Sequence, residues 1–407
     1  MSEPATENLE ARIAEIGGSL AAAFRRVLGQ VRGTPAGPQA LATTLGLDKV
    51  LASRLLNATR SADPIAVVQH VPGPEPLRRV LRAAAKRGVA APLIAEADAA
   101  VARFEELVRN EAGDRSALEA IISGWLPESR PDFELRRKQA AFRAMSQLRG
   151  ASVNINLSTV LLAPAQDPRR IDVVWVIGLL GLQRLRPGVR VKFTTRRLDG
   201  GESPRQPRSL GGAVLDSLLD ARLDEFCVNT PAELELVRTG DVVHYMLAGE
   251  AFGPNSSTDF VIAEVNRNEI ARVGSDSGRK TYVFAEVDTP SKLLVFDVIV
   301  QRDLFAGASP ELIVYDTSGE GVANPNDPTR DVDRYDTIET IQLISPSGVD
   351  ALRVAHFPRY VELLRRVFAS TGWNDAEFRT YRARVDYPIY GSQVTAAFPP
   401  PGAPGRA

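Results

Sequence analysis

Two stretches of the chain repeat a carboxylate in the same setting. Phe260-Val-Ile-Ala-Glu-Val-Asn266 and Tyr282-Val-Phe-Ala-Glu-Val-Asp288 lie 22 residues apart and put Glu264 and Glu286 at the same point of an apolar run. On neighbouring strands the two would share a face and form a pair able to bind a divalent cation or do acid-base work. On separate strands of a meander they would be ordinary solvated side chains. A second acidic group, Asp316, Glu320, Asp327, Asp331, Asp333 and Asp336 with Asn324 and Asn326, crowds one segment. Oxygen ligands at that density suit calcium or magnesium. The spacing is not that of an EF-hand loop, and a surface loop of Asx turns, partly neutralised by Arg330 and Arg334, fits the same residues. His70, His244 and His356 are far apart, and Cys227 follows Asp224 and Glu225, whose charge disfavours a thiolate. Neither a Gly-x-Ser-x-Gly elbow nor a phosphate-binding Gly-x-x-x-x-Gly-Lys-Ser/Thr loop occurs, and Gly178 and Gly181 sit in too apolar a run for a dinucleotide fingerprint. Three His and one Cys leave no material for most zinc frameworks or for an internal disulfide. The residues therefore assign no catalytic group, no metal and no cofactor.

The elements that must position these residues change character along the chain. Hydrophobic residues make up 44% and charged residues 24% of 407, the composition of a globular protein of two or three domains. Apolar positions at Ile13, Ile16, Leu20, Phe24, Val27 and Leu28 repeat at helical spacing, with Gly17-Gly18 as a point of interruption. Further helices are expected at about Glu75–Arg87, Pro92–Asn110, Arg115–Leu126 and Asp132–Leu148. From residue 151 the period becomes two. Strands are expected at Ala151–Leu161, Val189–Arg196, Asp241–Leu247, Asp259–Val265, Thr281–Val287, Leu293–Gln301, Glu311–Asp316 and Ile338–Ile344. Two late helices are expected, at about Arg359–Ser370 and Asp375–Tyr381. The apolar run Ile171–Leu182 is too short to cross a bilayer, and the N-terminus lacks the pattern of a secretory signal, so a cytoplasmic protein with no membrane partner is expected.

The fold class is thus α+β: an all-helical N-terminal region followed by a mainly antiparallel β-rich domain, a sandwich or open barrel. Expected boundaries are 1–70 for a head, 71–150 for a helical bundle or dimerisation region, 151–397 for the β-rich domain and 398–407 for a disordered tail. A mobile loop is expected at Leu198–Ser209.

One segment of the head carries a pattern of its own. Pro38 to Asn57 spaces Leu41 and Leu45 one turn apart, places the small Ala42 where two helices can cross, and puts Gly46 where a tight turn needs positive φ. Leu47 can plug the turn, and Ala52 and Leu55 face inward on the second helix. This pattern resembles the helix-turn-helix of bacterial transcriptional regulators, over about residues 24–60. The resemblance implies a second helix lying in the major groove. Lys49, Val50, Ser53, Arg54 and Asn57, with Asp48, would then face outward to the base edges, where Arg and Lys suit guanine and Asn suits adenine. Gln39, Thr43, Thr44 and Arg60 would contact phosphates. Ala52 stands where a larger β-branched residue is usual, and Leu51 and Leu56 add apolar surface, for a neighbouring helix or a dimer interface.

Charge agrees with that expectation. The whole chain has net charge −1, residues 1–150 carry +4, and residues 25–87 carry +8. A local positive excess is what phosphate neutralisation requires. A second basic group surrounds the first strand: Arg136, Arg137, Lys138, Arg143 and Arg149 before it, and Arg184, Arg186, Arg190, Lys192, Arg196 and Arg197 after it. The expected function is sequence-specific binding of double-stranded DNA by a homodimeric transcriptional regulator, with an unknown small-molecule or protein effector. The alternatives are a metal-dependent enzyme built on Glu264, Glu286 and the acidic loop, and an assembly protein with protein-binding helices.

Overall fold

The computed structural model describes residues 4–31, 37–128, 130–197, 207–229, 234–240, 242–272, 278–305 and 307–400. The chain divides into two compact units, Met1–Glu134 and Leu135–Ala407.

The first unit is helical: α1 (Pro4–Gln30), α2 (Pro38–Leu45), α3 (Lys49–Arg60), α4 (Pro64–His70), α5 (Pro74–Lys86), α6 (Ala91–Glu106) and α7 (Arg115–Ser123), with α8 (Arg130–Arg149) running across the division. Proline opens α2, α4, α5 and α6, where its missing N–H costs nothing. Asp48, Asp63 and Asp114 cap α3, α4 and α7 by accepting from their first backbone N–H groups. The apolar stripe of α1 is buried as its spacing requires. Gly17 does not interrupt the helix. A Cβ there would lie 1.9 Å from the Pro64 carbonyl oxygen, so glycine is what lets α1 and the start of α4 touch. One hydrophobic core runs from Ile13 to Leu126. The head and the helical region expected to part at residue 70 therefore share a single core.

The second unit holds β1 (Ala151–Pro164), β2 (Arg170–Arg184), β3 (Val191–Arg197), β4 (Leu234–Thr239), β5 (Val242–Leu247), β6 (Thr258–Ala271), β7 (Thr281–Glu286), β8 (Ser291–Gln301), β9 (Glu311–Asp316), β10 (Ile341–Ser345), α9 (Tyr360–Thr371), β11 (Phe378–Asp386) and β12 (Ser392–Phe398). Six strands form the main sheet in the order β10-β11-β8-β1-β2-β6. Its pairs are antiparallel except β1 with β8. One face packs on α9 through Leu157, Leu161, Val174, Val176 and the α9 residues Leu363, Leu364 and Val367. The other face is covered by two small antiparallel sheets, β7-β12-β9 and β3-β5-β4.

Several expectations change. Ile171–Leu182 is the middle of β2, buried on both faces, which explains its apolar run from Val173 onward. The helix expected at Asp375–Tyr381 is a 3-10 turn, Asp375–Glu377, followed by β11. Asn374 caps that turn, a start signal that the following strand overrides. The tail does not begin at 398: Phe398 ends β12, is fully buried and stacks on Phe305 with ring centroids 4.1 Å apart. The rest of the expected tail from residue 401, and residues 198–206 of the expected loop, lie outside the described residues.

Candidate functional site

In the helical unit, α2 and α3 form a tight hairpin. Gly46 takes φ 65°, and the backbone N–H groups of Gly46 and Leu47 both donate to the Ala42 carbonyl. Leu41, Ala42, Leu45, Ala52 and Leu55 are buried, as the spacing requires, and Leu47 packs half-buried beside them. The opposite face of α3 is open: Lys49, Val50, Arg54, Asn57 and Arg60 are exposed and Ser53 is half-buried. Gln39 and Thr43 are exposed on α2, and Thr44 is half-buried. The Thr43 hydroxyl donates to the Gln39 carbonyl at 3.0 Å.

Two features modify the expected interface. Asp48 is occupied, because its carboxylate accepts from the Val50 and Leu51 N–H groups at 2.7 and 3.3 Å. This fixes a negative charge at the start of α3 and opposes a phosphate there. Leu56 is buried and Leu51 half-buried against the unit's own core, so neither is left over for a dimer partner. The positive excess of residues 25–87 is also smaller than the sequence count. Arg26 pairs with Glu96, Arg78 with Asp98 and Glu105 at 3.4 and 2.6 Å, and Arg82 with Glu75 at 2.6 Å. Three of these four acids belong to α6, outside the counted segment.

In the β-rich unit, Glu264 and Glu286 do not lie on paired strands. β6 belongs to the main sheet and β7 to a small one. Both carboxylates nevertheless border one cavity of about 900 Å³. Its floor carries Asn156 and Ser158 of β1, Trp175 and Ile177 of β2, and Glu264 and Asn266 of β6. These side chains share a face because Ser158 pairs with Ile177 and Trp175 with Glu264. β7 forms one wall with Tyr282, Phe284 and Glu286, and β3 another with Lys192 and Phe193. The Asn156 amide donates to the Glu286 carbonyl at 3.1 Å. Burial, then the neighbouring Asp288 charge, pushes the Glu286 carboxyl up to about 7, partly offset by Lys192. Lys192 is itself ion-paired with Asp288 at 2.9 Å.

The acidic loop is built from turns. Asp316 and Asp327 accept from Ser318 and Thr329, which lowers both carboxyls. Arg330, buried within the loop, bonds Asp333 and the carbonyls of Gly321 and Val322. Among the described residues, no group of three or more His, Cys, Asp or Glu is placed to hold a metal ion. His244 bonds Thr195 at 2.9 Å, and burial raises the Cys227 thiol, which agrees with an inert role. Four members of the second basic group are engaged singly. Lys138 pairs with Glu339, Arg190 with Glu235 and Lys192 with Asp288, while the buried Arg184 bonds the carbonyls of Val189, Leu247 and Ala248. The side chains of Arg196 and Arg197 lie outside the described ones.

Sequence reasoning missed a buried polar cluster under α9. Asp297, fully buried, receives both arms of Arg382 at 2.7 Å and the Tyr360 hydroxyl at 2.6 Å. Thr159 completes it, 2.7 Å from the Tyr360 hydroxyl. Burial and the Asp297 charge hold the Tyr360 phenol far above its usual range. These four residues are separated by tens to hundreds of positions, and no local pattern joins them.

No protein-family model matches the chain, and no curated protein matches it. Among solved structures, it is similar to an M1 zinc metallopeptidase from Deinococcus radiodurans, both the unmutated enzyme and a glutamate-to-alanine mutant. The TM-score is 0.23 with 12% identity over 61% of this chain, and the match spans 42% of the peptidase chain, a likeness that carries no functional argument.

Proposed function

We propose that the chain is a sequence-specific double-stranded DNA-binding protein, a transcriptional regulator that reads the major groove with α3 and acts as a homodimer. The observation that supports this most is the two-sided character of α3: Ala52, Leu55 and Leu56 are buried, while Lys49, Arg54 and Asn57 stand exposed after a glycine turn. Side chains of these three types can read base edges. Because Asp48 repels phosphate at the start of α3, the backbone contacts fall to Gln39, Thr43 and Thr44 of α2 and to Arg60. One short helix reads only a half-site, and pairing two copies over a two-fold operator supplies the remaining affinity.

The test is fluorescence anisotropy with pooled fragments of the gene's own upstream region, across a range of salt concentrations. Tight binding with a steep negative salt slope is expected. Arg54→Ala should cost about 1–3 kcal/mol and relax sequence preference. Absence of binding at low salt overturns the proposal and leaves α2–α3 as a structural hairpin.

A further inference from the structure

We propose that the cavity bounded by β7, β3 and the β1–β2–β6 face is a binding site for an organic cation, an amine or guanidinium carried on an apolar or aromatic body. This is independent of any DNA contact by α3.

Its volume, about 900 Å³, lies in the range of small-molecule sites. Its charge is unbalanced toward the acid: five carboxylate residues line it against three cationic ones, among the described residues. Lys192 pairs with Asp288 at 2.9 Å and Lys280 with Glu311 at 3.0 Å. Glu286 is the acid that gains most from a guest. No side chain among the described residues hydrogen-bonds its carboxyl, and its surroundings disfavour the charge it carries. A cation placed against it relieves that penalty.

The second feature is the company of rings. Tyr282 and Phe284 alternate with Glu286 along the same side of β7, and Trp175 rises from the floor. Aromatic faces beside a carboxylate attract a desolvated cation and cover its hydrocarbon part. The third feature is Ser158. It is only 5% exposed and borders the cavity, so its hydroxyl is placed to accept from a ligand N–H. An anion would meet the excess of carboxylates, and a neutral sugar would leave the Glu286 charge uncompensated.

The full chain is titrated calorimetrically with tryptamine, phenethylamine and agmatine, near pH ~8 where Glu286 is ionised. Indole-3-acetate is the anionic counterpart of tryptamine, and maltose tests a neutral polyol. At least one amine is expected to bind with Kd below about 1 mM and indole-3-acetate at least about tenfold more weakly. Glu286→Gln, close in shape to the native side chain, should weaken the amine by about tenfold. Phe284→Leu, which keeps an apolar side chain, should weaken the amine several-fold. The proposal is overturned if none of the three amines binds, if indole-3-acetate or maltose binds as tightly, or if Glu286→Gln binds amine as the native chain does while its melting curve shows it folded.

Discussion

Glu286 and Asp297 lie on strands of the same unit, and their surroundings give them opposite characters. Asp297 is enclosed and fully answered: Arg382 takes both oxygens and Tyr360 adds a third bond. Its bonds tie β8 to β11 and α9. Glu286 is opposed in its ionisation first by burial and then by the Asp288 charge beside it, and Lys192 of β3, shared with that Asp288, offsets this only in part. The consequence for stability has a definite sign. The folded carboxyl titrates at about 7, above the unfolded value, so folding favours the protonated form. Stability contributed by this group is intact below the unfolded pKa of about 4.5 and falls as pH rises toward 7, with no further change above it. Glu286→Gln removes the penalty. It should match the native chain near pH ~4 and exceed it at pH ~8 by about 1–3 kcal/mol, less than the full shift implies because the side chain is only half-buried. Thermal melts of both proteins across that range decide the matter. Equal melting temperatures at the alkaline end would mean that Glu286 ionises without cost and that the cavity is wetter than its lining suggests.

Among the elements, those that rest on local chemistry were legible and those that rest on pairing were not. The α1 stripe and the Gly46 turn each lie within a few residues, and both appear in the structure. β11 was misread for two local reasons. Asn374 gives a helix-start signal, and Arg379, Arg382 and Arg384 make the segment look like a solvated face. Arg382 instead turns inward to a carboxylate on the adjacent strand, and β8 and β10 hold the segment extended between them. No strand is expected at β2 because both its faces are covered, which erases the alternation that marks a half-buried strand. The α3 cap yields a prediction at this same scale. Asp48→Asn keeps an oxygen for the Val50 and Leu51 N–H groups while removing the charge, so stability should change by only a few tenths of a kcal/mol. Under the DNA proposal its affinity for DNA should rise, because a negative charge is withdrawn from the start of the reading helix. Asp48→Ala should cost about 1 kcal/mol of stability. Anisotropy and thermal melting on the two variants separate the charge from the cap. A fall in DNA affinity with Asp48→Asn, at unchanged stability, would place the DNA away from this end of α3.

For the whole molecule, the division into a helical and a β-rich unit was legible from the change in hydrophobic period near residue 150, although the compact units part at Glu134, inside α8. The cavity was not legible. Its lining comes from strands of three sheets that are distant in sequence, and the repeated heptapeptides hinted at Glu264 and Glu286 only by assuming a pairing that does not form. Each unit has hydrophobic cores built from its own residues, which makes their stabilities separable by experiment. Leu55 is fully buried in the helical core, so Leu55→Ala should destabilise that unit by about 2–5 kcal/mol. Trp125 reports on the helical unit, and Trp175 and Trp373 on the β-rich one. In Leu55→Ala with Trp125 as the one remaining tryptophan, the unfolding midpoint should fall. With Trp175 and Trp373 retained and Trp125 replaced by Phe, the midpoint should stay where it is without the Leu55 change. Under the two functional proposals, the same variant should lose DNA binding on warming while the amine still binds. A joint fall of both midpoints would show that the units unfold as one cooperative body, and the helical and β-rich halves would then have to be treated as a single folding unit.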